Sequence, residues 1–232
     1  MEYQKEETII CIPGLGGHKT SFKGYDQLLS NYKVIFTEIT DPKPSFEKIA
    51  QICEKEKSVI LLTNCYGAQL GISLIKKFPE KIKKFVIIEP FFAEFHLWRH
   101  PARVVNFILF AFFSILDYFY LRRRFFYNPD YDHLAKYPIF IQPIFDLSWH
   151  NWTFYFKKSN DILYFRLPKN PVTVPTLIFY SSKGFTRDKK TREAIRSVFV
   201  NSQEAEVNPQ THLIIKHAKE TIGQILRDWL SK

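Results

Sequence analysis

The stretch from Ser58 to Gly71 runs from an apolar strand through an abrupt turn into a helix that begins with small residues, and the turn carries Cys65. A strand that turns directly into a helix forces the residue between them into a strained backbone conformation, so its side chain projects alone. Gly67 and Ala68, two and three positions later, let the helix and strand approach. The thiol falls at a helix start, where backbone N–H groups and the macrodipole favour an anion, so thiolate character is expected of Cys65. The chemistry this permits is nucleophilic attack by sulfur. The competing reading is a core residue, a common role of a free cysteine.

A second place suited to chemistry is Pro13-Gly14-Leu15-Gly16-Gly17, directly after the apolar run Thr8 to Ile12. Glycines there allow backbone to lie close to a ligand; a flexible turn without such a role is the alternative. The other cysteines, Cys11 and Cys53, fall in an apolar run and on an apolar helical face, as core residues do. Three cysteines without paired spacing argue against a disulfide framework and a thiolate metal site. No metal or cofactor is expected.

These residues need a frame, and the rest of the chain describes one. Strands are expected at Thr8 to Ile12, Tyr32 to Ile39, Val59 to Thr63, Phe85 to Glu89, Thr176 to Tyr180 and Glu204 to Val207. Between them lie helical patterns carrying Ile49, Ala50 and Cys53, then Tyr66 to Phe78 and Arg187 to Phe199, with a final amphipathic helix carrying Ile222, Ile225, Leu226 and Trp229. Strands alternating with helices give an α/β domain with a mostly parallel central sheet flanked by helices. Right-handed crossovers place the loops after the strands at one sheet edge, where ligands of such sheets bind.

Residues 91–168 interrupt the alternation and hold 25 of the 39 aromatic residues, too many for a solvated loop. We read them as a cap or lid inserted into a core made of residues 1–90 and 169–232. Within the insertion, Val104 to Leu116 is apolar nearly all round, but Asn106 and Asp117 leave it short of the roughly 20 residues that span a bilayer. Arg99 and Arg103 precede it and Arg122, Arg123 and Arg124 follow, a pattern that suits a helix packed on the sheet or one lying in a membrane interface.

The chain has 232 residues and a formal net charge of +10. The charge favours anionic contacts, including peripheral contact with an anionic membrane. The lysine run Lys76, Lys77, Lys81, Lys83 and Lys84 surrounds a helix end and carries no nucleic-acid motif, so no nucleic-acid partner is expected. The N-terminus lacks a basic region followed by a long apolar one, and a cytoplasmic, reducing setting is expected.

Four landmarks, in order, resemble the α/β-hydrolase superfamily. Thr63-Asn64-Cys65-Tyr66-Gly67-Ala68 resembles its nucleophile elbow, with cysteine for serine. Pro13-Gly14-Leu15-Gly16 resembles its oxyanion loop, with proline where histidine is usual. The passage from Lys77 to Pro90 is similar to the family's connection from the nucleophile helix to the next strand. Thr211-His212-Leu213 stands before the final helix, where the family's catalytic histidine lies.

The resemblance implies the α/β-hydrolase fold and an acyl hydrolase, esterase or thioesterase, acting on a small-molecule ester or thioester with an apolar acyl group. Cys65 would be the nucleophile and His212 the base, with the more weakly placed His217 as the alternative. The N–H groups of Leu15 and Tyr66 would stabilise the oxyanion. The acid's usual place falls on Gly184, which has no carboxylate. Glu89, at the end of the preceding strand, takes that role in this reading, with a strand-end carboxylate bonded to loop N–H groups as the alternative, and Asp188 is the second choice, though it suits helix capping better. A Cys-His pair depends less on a third carboxylate than a Ser-His pair does, because the thiol is intrinsically more acidic. Two other readings stay open: acyl transfer through a Cys65 thioester, and a catalytically inactive hydrolase fold that binds a lipid or a partner.

Overall fold

The apolar runs become strands of one sheet because most are buried on both faces, where only extended backbone with parallel neighbours on each side satisfies their amides. The computed structural model describes residues 7–14, 19–39, 42–92, 101, 104, 105, 107, 108, 112, 161, 163–182, 189–208 and 214–232. Among them, strands β1 (Thr8–Ile12), β2 (Lys33–Phe36), β3 (Val59–Asn64), β4 (Ile82–Ile88), β5 (Thr176–Ser181) and β6 (Ser202–Val207) form a sheet in the order β2-β1-β3-β4-β5-β6. Every pairing is parallel. The helices between and after them include α1 (Tyr25–Leu28), α2 (Pro42–Lys55), α3 (Gly67–Lys77), α4 (Lys189–Val198), α5 (Ile214–His217) and α6 (Lys219–Leu230).

The second strand is shorter than its apolar pattern suggests. Among the described residues it pairs only with β1, which ends at Ile12 and is followed by Pro13, a residue with no N–H to continue the ladder. Thr37 closes the pairing by donating both its N–H and its hydroxyl to the Cys11 carbonyl, at 3.0 and 2.8 Å. Two short helices, α1 and α5, were not expected, since four residues are too few to show a helical period.

Alternation along the central strands divides the core between two faces. One carries Ile9, Cys11, Ile60, Leu62, Val86, Ile88, Leu177 and Phe179, packed with Tyr25 of α1 and Ile222, Leu226 and Trp229 of α6. On the other, Gly71 of α3 sits against Phe85 and Thr63, the Phe85 and Phe199 rings lie 6.0 Å apart, and Arg192 of α4 covers the Tyr180 ring at 4.6 Å. Much of the lysine run has structural work. Lys81 donates to the carbonyls of Glu54, in the last turn of α2, and of Glu56, just past its end, and Lys84 donates to the Leu230 carbonyl at 2.8 Å, at the end of α6. Cations at helix C-termini satisfy orphan carbonyls and complement the dipole.

The chain divides into two compact units, Met1–Phe91 with Leu167–Lys232, and Phe92–Arg166. In the second unit the rings of Phe92 and Phe165 stack at 6.1 Å, and Leu163 is buried. Most of the segment read as a cap lies outside the described residues. No helix among the described residues is long and apolar enough to cross a membrane.

Candidate active site

The strand order reverses around β1: the chain goes from β1 to β2 on one side, then returns to β3 on the other. Connections that diverge this way open a crevice outside the carboxyl ends of the two strands, where open α/β sheets bind their ligands. The loop that leaves β1 at Pro13 and the turn that leaves β3 at Cys65 flank that point.

Cys65 has φ 48°, in the left-handed region that side chains avoid. The strain is held from both sides, since its N–H donates to the Ile88 carbonyl at 2.9 Å and its carbonyl accepts the Ala68 N–H at 3.1 Å. Tyr66, 1% exposed, follows, and its carbonyl accepts the Gln69 N–H at 3.0 Å as α3 begins. Two glycines make this turn possible. A β-carbon on Gly67 would lie 2.7 Å from the Pro13 carbonyl oxygen and closer still to that of Ile12, so only glycine lets α3 start against the end of β1. A β-carbon on Gly14 would lie 3.2 Å from the Cys65 β-carbon and 3.1 Å from Asn64 Nδ2. The loop after β1 is therefore in contact with the turn that carries the thiol.

The three cysteines separate by environment. Cys11 and Cys53 are buried, while Cys65 is half-buried and reachable. Burial pushes the Cys53 thiol up to about 11 and pushes Cys11 well above the ordinary thiol range, so both are held as neutral core groups.

Glu89 follows β4 as Cys65 follows β3, and in the adjoining register Asn64 pairs with Ile88. It too has a positive φ, 51°, and it is 2% exposed. Its N–H donates to the Phe179 carbonyl at 2.9 Å, and its carboxyl Oε1 accepts the Ser181 N–H. In a regular parallel ladder that second bond would go to the Glu89 carbonyl. The positive φ turns the main chain out of the sheet, and the side chain supplies the acceptor instead. The alternative reading of Glu89, a strand-end carboxylate bonded to loop N–H groups, anticipates a backbone donor, but the sequence did not identify Ser181 on the neighbouring strand as that donor. Nor did it identify Gln69, 3% exposed in the first turn of α3, whose Nε2 donates to the Phe91 carbonyl at 3.3 Å and ties the chain beyond β4 to the helix behind Cys65.

Leu15, Gly184, Asp188 and His212 lie outside the described residues. The ends of the connection that contains His212 are fixed. On one side Ser182 Oγ donates to Asn208 Oδ1 at 2.9 Å, just beyond the carboxyl end of β6. On the other, Ile214 and Ile215 are buried, and the Tyr25 hydroxyl donates to the Ile215 carbonyl at 3.1 Å. His217, on α5, is exposed.

No protein-family model matches the sequence, and no curated protein matches it. Solved structures do. An α/β-hydrolase enzyme, MGS-M2, from a Medee basin deep-sea metagenome library is similar with a TM-score of 0.71 at 14% identity, over 100% of this chain and 92% of that one. A Bacillus megaterium epoxide hydrolase is similar with a TM-score of 0.69 at 13% identity, over 97% and 94%. A marine microorganism esterase is similar with a TM-score of 0.67 at 17% identity, over 95% and 94%. Proteins of different activity share this architecture, so the likeness concerns the frame rather than the reaction. With a parallel sheet in this order, a strained strand-turn-helix after β3 and overlap along nearly its whole length, the chain has the α/β-hydrolase fold.

Proposed function

We propose that the chain is a hydrolase of acyl esters or thioesters in which Cys65 is the nucleophile. The observation that carries the reading is the position of the one reachable thiol among the described residues: a left-handed residue between β3 and α3, at the sheet's switch point, touching the glycine loop that leaves β1. An ordinary core cysteine needs neither the strain nor the access.

In the proposed reaction the Cys65 sulfur attacks the acyl carbonyl carbon and His212 takes the thiol proton. The carbonyl π pair moves to oxygen, and the oxyanion is held by the N–H groups of Tyr66 and Leu15. Collapse re-forms the carbonyl and expels the alcohol or thiol, which recovers its proton from the His212 imidazolium. Water, deprotonated by His212, attacks the resulting thioester, and a second collapse releases the carboxylic acid and the thiol. Glu89 acts as a positioning residue, orienting the imidazole. Preference for an apolar acyl group rests on the aromatic content of residues 91–168.

The test is turnover of p-nitrophenyl and coenzyme A esters of graded chain length by the full chain and by Cys65→Ala and His212→Ala. Activity in the wild type and its loss in both variants supports the reading. Activity retained by Cys65→Ala refutes it.

A further inference from the structure

Residues 101, 104, 105, 107, 108 and 112 are helical, and all six are both apolar and exposed. At about 100° per residue, Pro101, Val104, Val105, Phe107, Ile108 and Phe112 fall within an arc of about 160° on one helical face. Phe107 is 66% exposed, Val104 61% and Ile108 58%. The five larger side chains present on the order of 500 Å² to solvent, which is as large as the whole biggest apolar patch of a typical soluble monomer and of the size that marks an interaction surface.

Charge selects among the occupants. In the sequence this face is preceded by Arg99 and Arg103, followed by Arg122, Arg123 and Arg124, and belongs to a chain of net charge +10. Two copies meeting through it would bring like charges together, which opposes association. An anionic bilayer offers both an apolar phase and the opposite sign of charge. The apolar core of the run is too short to span that bilayer, so the geometry fits a helix lying in the headgroup region with its apolar face in the acyl boundary.

We propose that the exposed apolar face formed by Pro101, Val104, Val105, Phe107, Ile108 and Phe112 docks the protein on anionic lipid surfaces. The proposal is independent of Cys65 and of catalysis. It is tested by sedimenting the full chain with vesicles of phosphatidylcholine alone or containing phosphatidylglycerol, at about 50 mM and about 500 mM salt. Binding is expected to the phosphatidylglycerol vesicles, weaker to phosphatidylcholine alone, and weakened by salt. Because Phe107 and Ile108 are exposed, the double variant Phe107→Ser with Ile108→Ser should keep the wild-type far-UV circular dichroism. It should bind the anionic vesicles on the order of 100-fold more weakly, the loss expected for withholding two large apolar side chains from lipid. The proposal is overturned if the wild type stays in the supernatant with anionic vesicles at low salt, or if the folded double variant binds as the wild type does. Sedimentation velocity showing a dimer that the double variant abolishes, without vesicle binding, would assign the face to a second copy and also overturn it.

Discussion

Replacing Glu89 by glutamine and by alanine separates two tasks that meet in one side chain. Its carboxyl Oε1 accepts the N–H of Ser181, a residue with no solvent exposure, in place of a ladder carbonyl. Alanine removes that acceptor from a buried donor and leaves a void. Losing a buried acceptor costs about 1–3 kcal/mol, and the cavity raises the expected loss to about 2–4 kcal/mol. For a chain of this size that is a fall in Tm of roughly 5–15 °C. Glutamine keeps an amide oxygen able to accept the same bond, so Glu89→Gln should lose less than about 1 kcal/mol. Activity then reads the second task. If the charge of Glu89 orients the His212 imidazole, Glu89→Gln should lower kcat on the order of 10–100-fold with KM little changed, less than a serine enzyme would suffer because a thiol needs the third group less. Calorimetry on both variants and steady-state kinetics on the glutamine variant give the two answers. Wild-type stability in Glu89→Ala would refute the ladder argument, and full activity in Glu89→Gln would remove Glu89 from the site.

Three further outcomes follow from the geometry. Iodoacetamide at neutral pH should modify Cys65 well before Cys11 or Cys53, because a thiol pushed up to about 11 has about a hundredfold lower thiolate fraction than an ordinary one; peptide mapping that finds equal rates would contradict the environments described. Gly67→Ala should destabilise the fold by about 1–3 kcal/mol in denaturant melts and slow Cys65 alkylation, since its new methyl meets the carbonyls of Ile12 and Pro13; unchanged values would mean that the loop and turn are not in contact. The Lys33 ammonium, and then the Thr8 hydroxyl, hold the Glu56 carboxyl below its ordinary range, each at 2.6 Å. A depressed carboxyl contributes stability that is present above its unfolded pKa and lost as pH falls through its folded one, so the stability gap between wild type and Glu56→Gln should be full near neutral pH and close as the solution is acidified below the ordinary carboxylate range. A gap that stays constant would contradict that pairing.

The central strands were legible in the sequence because a strand buried on both faces must be apolar throughout, as in Ile9 to Ile12 and Val59 to Leu62. The turn at Cys65 was legible for a related reason: small residues at fixed distances after a strand have few explanations other than close packing of helix and strand. What escaped was whatever depends on a partner distant in the chain. Glu89 looks like any strand-end carboxylate until Ser181, 92 residues away, is placed beside it. Lys84 looks like one charge in a basic run until the Leu230 carbonyl, 146 residues away, arrives at its ammonium. Gly14 reads as loop freedom, and only the structure shows that its missing β-carbon is the space that Asn64 and Cys65 occupy.

In the proposed reaction Cys65 carries the acyl group between the two half-reactions. Mixing the protein with a p-nitrophenyl ester in rapid quench, followed by mass spectrometry of the intact chain and its peptides, tests it most directly. Expected are a burst of about one equivalent of p-nitrophenol, an added acyl mass on the peptide containing Cys65, and neither burst nor adduct in Cys65→Ala. An acyl adduct on another residue, or a burst that survives in Cys65→Ala, would contradict it.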